Sequence, residues 1–181
     1  ARSSPILNQG AGWVRVLLAA MVTLNLLKEC WERIVLAHKE GLTFTSEWSA
    51  VLDSAPDKHL PNVKWMKPRV AITNSGGIMR KLFTCVLFFE DDHESDRENE
   101  TRDDVYERMQ VVAELCFLMF IAAFIDDETR HEGVLMNAEQ EGAATFDPSF
   151  DSAGRQITGC MMTVTIADTT QICPDPYFNA I

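Results

Sequence analysis

Positive charge is scarce in this chain. Lys and Arg number 16 against 27 Asp and Glu, for a formal net charge of −11 at neutral pH. Binding nucleic-acid phosphates across a face needs clustered Lys and Arg. The balance therefore argues against a nucleic-acid reader, and leaves contact with DNA only as a repelling or guiding wall. Signature motifs are missing as well. There is no G-x-x-x-x-G-K-[ST] and no G-x-G-x-x-G to cradle phosphates, and no G-x-S-x-G elbow to present a nucleophile. No glycine stands between Gly77 and Gly133, so an EF-hand loop, which wants Gly at its sixth position, has no place there.

Cysteine pairing is also absent. Cys30, Cys85, Cys116, Cys160 and Cys173 are odd in number and show no C-x-x-C spacing. The reading is buried, reduced thiols in a reducing compartment rather than a disulfide framework. Apolar runs long enough for a bilayer are missing too. Residues 13–27 carry Arg15 and Asn25, residues 111–125 carry Glu114, and each run falls short of the roughly 20 residues a span needs. A signal peptide is a rival reading of the first run, with Arg2 ahead of it, but the run passes without a small-residue cleavage pattern into "KECWERIVLAHKE". Both runs read as buried helices, or as helices with one side in a neighbouring subunit.

What is present is a core. With 181 residues and 46% apolar content, the chain suits one domain that needs no disulfide or metal to fold. Residues 1–12 read as an N-terminal arm. A first helix is expected over 13–39, with Leu17, Met21, Leu24, Lys28, Trp31 and Val35 at steps of three or four, stopping at Gly41. A short strand or turn surrounds Phe44 and Trp48. The clearest strands are residues 63–74 and 79–90, joined by "NSGG" as a hairpin turn. Pro68 demands an edge or a bulge. Thr101 and Asp104 resemble a capping box for a long helix, with Val105, Met109, Val112, Cys116, Met119 and Ala123 as its buried stripe. Residues 126–142 read mostly as loop and "ATFDPSFDSAGRQ" as a strand and turn. Residues 156–168 read as a last strand with Thr158, Cys160, Met162, Val164 and Ile166 on one face. The tail "QICPDPYFNAI" holds two prolines and is neither central strand nor helix. The expected architecture is α+β: an antiparallel sheet with two long helices packed on it and extended arms at both ends. The expected units are an arm over 1–12, a domain over 13–172 and a tail over 173–181.

The chemistry is concentrated in "FFEDDHESDRENETRDD", Phe88 to Asp104, where nine carboxylates fall between Glu90 and Asp104. Asp92, Glu94, Asp96 and Glu98 alternate and could ligate a hard cation. With His93 they would make a small metal-dependent hydrolase, the rival reading. The plainer reading is a solvated connection whose charges cap the following helix. His38, His59, His93 and His131 stand alone, and Cys160 lies in a strand pattern where a thiol is inert. No catalytic, cofactor or metal residue is assigned.

The order of several stretches resembles a group of small bacteriophage virion proteins, the tail-terminator, tail-completion and neck proteins. The stretches are "LTFTSEWSAV" after a helix, "NVKWMKPRVAI", "KLFTCVLFFEDD", "ENETRDDVYERMQVVAELCFLM", "ATFDPSFDSAGRQITG" and "MMTVTIADTTQICPDPY", together about residues 13–177. The resemblance implies a virion protein of the tail or neck, made in the host bacterial cytoplasm. It implies a homo-oligomeric ring, often a hexamer, that joins the tail to the head-side connector and ends tube polymerisation. Its partners would be tail tube, sheath or connector proteins. Genomic DNA would pass the lumen without specific binding, and no membrane, cofactor or catalytic residue would be involved. In such a ring the contacts expected are the sheet edge at Pro68, the hairpin tip at Asn74, Gly76 and Gly77, and the tail at Cys173, Pro174, Tyr177 and Phe178. The acidic band at Asp91, Asp92, Glu94 and Asp96 would face the lumen or a basic partner. A non-viral regulatory module, monomeric or dimeric, is the remaining alternative.

Overall fold

The computed structural model describes residues 22–46, 60–75, 78–92, 100–125, 135, 137–150 and 157–169. Helix α1 spans Leu24–Leu36. Thr23 caps it from extended backbone, its side chain accepting the Leu26 N–H at 3.2 Å. That cap ends the helix on its N-terminal side, so the helix expected from residue 13 does not run unbroken through Thr23. Leu27, Cys30, Trp31 and Val35 form the buried stripe, while Lys28 is only half-buried. Beyond the helix, Gly41 sits at φ 68°, a left-handed position that glycine takes without steric cost.

Strand β1, Thr43–Thr45, lies parallel to the start of β2, Asn62–Ser75. The join is polar and satisfied. Thr43 donates to the Asn62 Oδ1 at 3.0 Å, and the Asn62 amide donates to the Thr45 hydroxyl at 3.3 Å. A buried amide would otherwise be costly. β2 turns back into β3, Ile78–Asp92, in register from Asn62↔Glu90 to Ser75↔Ile78. The register slips between Met66 and Arg69, so Lys67 and Pro68 together face Cys85. This is the bulge that Pro68, lacking an N–H, required.

Helix α2, Arg102–Phe120, follows the acidic stretch. Its capping box is complete: the Asp104 N–H donates to the Thr101 hydroxyl at 3.3 Å, and the Thr101 N–H donates to the Asp104 carboxylate at 2.8 Å. The helix buries Val105, Met109, Val112, Ala113, Cys116 and Phe120 and closes with a π-helical turn, Ile121–Ile125. Phe120, not Met119, continues the buried stripe, and Ala123 is exposed. Ala123 lies within the π turn, whose wider winding moves its residues off the α-helical stripe.

β4, Ala138–Phe150, and β5, Ile157–Asp168, complete a five-stranded sheet of order β1-β2-β3-β5-β4. The four long strands are antiparallel and β1 joins in parallel, which makes the fold α+β. β4 begins at Ala138, inside the stretch expected to be loop. A bulge between Glu141 and Thr145, with Gly142 at φ 72°, lets this polar edge strand follow β5. Gly159 is compelled by closeness: a Cβ there would overlap the Phe89 carbonyl oxygen of β3.

The helices cover one face of the sheet. Phe83, Cys85, Leu87 and Phe89 of β3 alternate inward beside Cys160, Met162, Val164 and Ile166 of β5. Trp31 of α1 stacks on Phe120 of α2 at 4.0 Å between ring centroids and 3° between planes, tying both helices over that layer. At the far end, the buried Asp168 carboxylate accepts the Val22 N–H at 3.0 Å.

Candidate functional site

The acidic stretch opens at the end of β3 and closes at the α2 cap. Its two described ends converge on one cation. Arg108, one and a half turns into α2, reaches the Asp91 Oδ2 at 2.8 Å through Nη2 and the Glu100 Oε1 at 3.0 Å through Nε. Its Nη1 lies 3.8 Å from Glu40, just beyond α1. Asp91 is turned inward, with 6% of its side chain exposed, and its other oxygen accepts the Asp92 N–H at 2.8 Å. Burial works against the charge on Arg108, but hydrogen bonds to Glu100 and Asp91 outweigh it and raise the guanidinium further above its usual range. The chemistry is that of a clasp. Asp91 and Glu100 present their oxygens to a fixed cation, which ties the end of β3 to the start of α2. Among the described residues, no three His, Cys, Asp or Glu side chains gather as a metal-ion site.

The four described cysteines, Cys30, Cys85, Cys116 and Cys160, are buried and free. Burial pushes the Cys30 thiol up to about 11 and those of Cys116 and Cys160 up to about 12, with Cys85 higher still. Thiolates, the reactive form, are therefore suppressed.

What the described residues do offer at the surface is uncovered apolar area, grouped chiefly in two places. The first is the outer face of α2. Val111, Leu115, Leu118 and Met119 are 54%, 48%, 60% and 57% exposed. The helix with its π turn, Arg102–Ile125, extends well beyond the apolar run 111–125 and, contrary to the expectation from that run, is long and apolar enough to cross a membrane by length and composition, yet its opposite face packs into the core. Beside the stripe, Ile34, Ala37 and His38 of the α1 end meet Leu115, Cys116 and Met119 around a groove of about 490 Å³. The second place is the β2–β3 hairpin beyond the helical layer. From Arg69 to Asn74 every β2 side chain is exposed, on both faces. Val70, Ile72 and Met79 form an apolar patch there on the helix-bearing side. The hairpin outruns its neighbour: the last β3–β5 pair is Lys81↔Asp168, three residues short of Ile78.

Of the expected contact residues, Pro68 is buried at the bulge, Asn74 is exposed opposite Met79, Asp91 is in the clasp, and Asp92 is half-buried opposite Ile157. Gly76, Gly77, Glu94, Asp96, Cys173, Pro174, Tyr177 and Phe178 lie outside the described residues. Sequence reasoning allowed for an α2 helix with one side in a neighbouring subunit, but missed the Val70, Ile72 and Met79 patch and the Arg108 clasp. The signal for the α2 patch was available, because residues 111–125 are apolar around the whole helix rather than on one stripe. No protein-family model matches this chain, and no curated protein is significantly similar to it.

Proposed function

We propose that this chain is a structural subunit that assembles with copies of itself into a closed ring, of the kind phage tail-terminator and neck proteins form at the head–tail junction. The observation that supports this most is the pair of separate apolar surfaces on one domain, the α2 stripe and the hairpin arm. Exposed patches of this sort mark association sites. Two unlike patches on one subunit favour head-to-tail contact, which closes into a ring when the rotation allows. The acidic stretch is compatible with the same reading: a ring of copies would repeat the excess of carboxylates between Glu90 and Asp104, and such a band in a lumen repels DNA.

The test is the mass of the purified 20.4-kDa chain by light scattering across a concentration series, with projection images of the same sample. A mass near six subunits and a ring with a central opening are expected. A monomer at every concentration refutes self-assembly, and a compact dimer without an opening moves the reading to a regulatory module.

A further inference from the structure

Among the described residues two strand edges of the sheet are open, on its opposite sides. β1 covers β2 only from Asn62 to Lys64, and β4 has β5 on one side alone. Alternation along each strand decides which backbone groups face those edges. The Thr43 N–H donates to the Pro61 carbonyl at 3.0 Å, so Pro61, Val63 and Trp65 turn their backbone groups to the β1 side. Leu87, opposite Trp65, therefore bonds towards β5, as does Phe83 four residues earlier on the unbroken β3. Val70, opposite Phe83, and Ile72, opposite Lys81, are left facing the open edge. Carried from Leu87 through Met162, the same alternation turns Phe146 and Pro148 to the open edge of β4. A proline without an N–H costs no pairing there.

β2 and β4 run in opposite directions, so copies set side by side in one orientation bring the two edges together antiparallel. We infer that the arm of each copy pairs as a strand with β4 of the next. Val70 meets Phe146 and Ile72 meets Ala144 through backbone hydrogen bonds, with Ala71 opposite Thr145 and Arg69 opposite Asp147. The inference rests on the proposed ring and names one of its interfaces. The faces match at this register. Val70 and Ile72, 42% and 59% exposed, continue the helix-side layer of Ala144 and Phe146, which pack against the core. Arg69 and Asp147 are exposed on the outer face, where opposite charges directly across a ladder stabilise it. A slide of two residues one way sets Val70 against Pro148, which has no donor, and the other way sets Ile72 against the bulge at Gly142. Pairing β4 with a second β4 would leave the arm open. Within one copy Thr145 stands level with Met66, through Thr163 and Val86, whereas in the contact it meets Ala71, whose partner Leu82 is four residues from Val86. That offset of about 13 Å inclines the strands to the ring axis, as closed sheets require. Each subunit uses one arm and one β4 edge, so the contact is head-to-tail, and closure leaves neither edge open.

The experiment uses full-length variants, with circular dichroism and the melting temperature establishing that each is folded. Arg69→Glu and Asp147→Lys each place like charges across the contact, and the double variant restores an opposite pair. Light scattering is expected to show each single variant at least fivefold weaker in assembly than wild type, and the double variant returned to the wild-type mass. A second set joins Ala71→Cys with Thr145→Cys, a directly opposed pair close enough for a disulfide. On oxidation the double-cysteine chain is expected to give a covalent ladder of multimers, while wild type and each single-cysteine variant give none. If wild type assembles and both charge variants assemble equally well, or the double-cysteine chain gives no ladder, the interface assignment is overturned while the ring stands. If wild type is monomeric throughout, the ring reading fails and takes the interface with it. If Leu118→Cys alone oxidises to a covalent dimer and the Ala71–Thr145 cysteine pair does not crosslink, α2 meets α2 and the strand pairing falls.

Discussion

Replacing Arg108 with Met tests the clasp. The substitution keeps the aliphatic bulk and removes the charge. It strands Asp91, whose side chain is 6% exposed, and frees Glu100, which is 13% exposed. An exposed ion pair is worth about 0–1 kcal/mol, whereas removing one partner of a buried pair costs about 3–5 kcal/mol because the other charge stays buried. Arg108 itself is 18% exposed, so the lower end applies, about 3 kcal/mol. For a chain of this size each kcal/mol moves the melting temperature by about 2–4 °C, giving a fall of roughly 6–12 °C. In urea at pH 7, with m near about 2 kcal/mol/M, the midpoint should drop by about 1.5 M. Protein concentration is held constant, since assembly would add to apparent stability. Adding Asp91→Asn removes the stranded charge and should recover at least half the loss. A cost under about 1 kcal/mol, or no recovery in the double variant, refutes the clasp.

Three further outcomes are expected. Gly159→Ala should prevent native folding or cost more than about 3 kcal/mol, because its methyl group meets the Phe89 backbone, which moves only if β3 and β5 separate; a wild-type melting curve would refute the close approach. Iodoacetamide at pH 8 should leave Cys30, Cys85, Cys116 and Cys160 unmodified until denaturant is added, as peptide mass spectrometry would show, since burial raises every one of these thiols. Hydrogen bonds from the Thr101 side chain and then its backbone N–H hold the Asp104 carboxylate below its usual range. Such a group contributes in full above the ordinary carboxylate value of about 3.9 and loses its contribution as pH falls through its lower folded value. The melting-temperature gap between wild type and Asp104→Ala should therefore be constant from pH 8 to 5 and close toward pH 2; a gap independent of pH counts against the cap.

The parts of the fold that local chemistry dictates were legible. Thr101 and Asp104 marked the start of α2, the alternation Cys160, Met162, Val164, Ile166 marked the inner face of β5, and Pro68 required the bulge that occurs. What escaped depended on distant partners. The polar residues Glu139 and Glu141 read as loop because nothing local shows that Arg80 of β3 reaches Glu139 at 2.6 Å and Glu141 at 3.5 Å. Arg108 drew no reading from the sequence, because its role depends on Asp91 and Glu100, which only the fold brings to it. Of the candidate surfaces, the excess of apolar helix was visible in composition. The exposure of Val70, Ile72 and Met79 was not, since a half-buried strand and a projecting arm share the same alternation.

The position of β5 bears on how this chain comes off the ribosome. Of the described strands it is the last to be made, yet it lies second from one edge, between β3 and β4. Among the described residues β4 has β5 as its strand partner, and β3 lacks one side until β5 arrives. The Asp168 carboxylate that receives Val22 comes 146 positions later. Synthesis therefore yields a hairpin, two apolar helices and a strand with nowhere to pair, and the sheet closes only when residues 157–168 have emerged. Such non-local closure is slow and leaves sticky surfaces open meanwhile. A chain stopped short of residue 157 is expected to be a client of chaperones or proteases rather than a smaller folded protein.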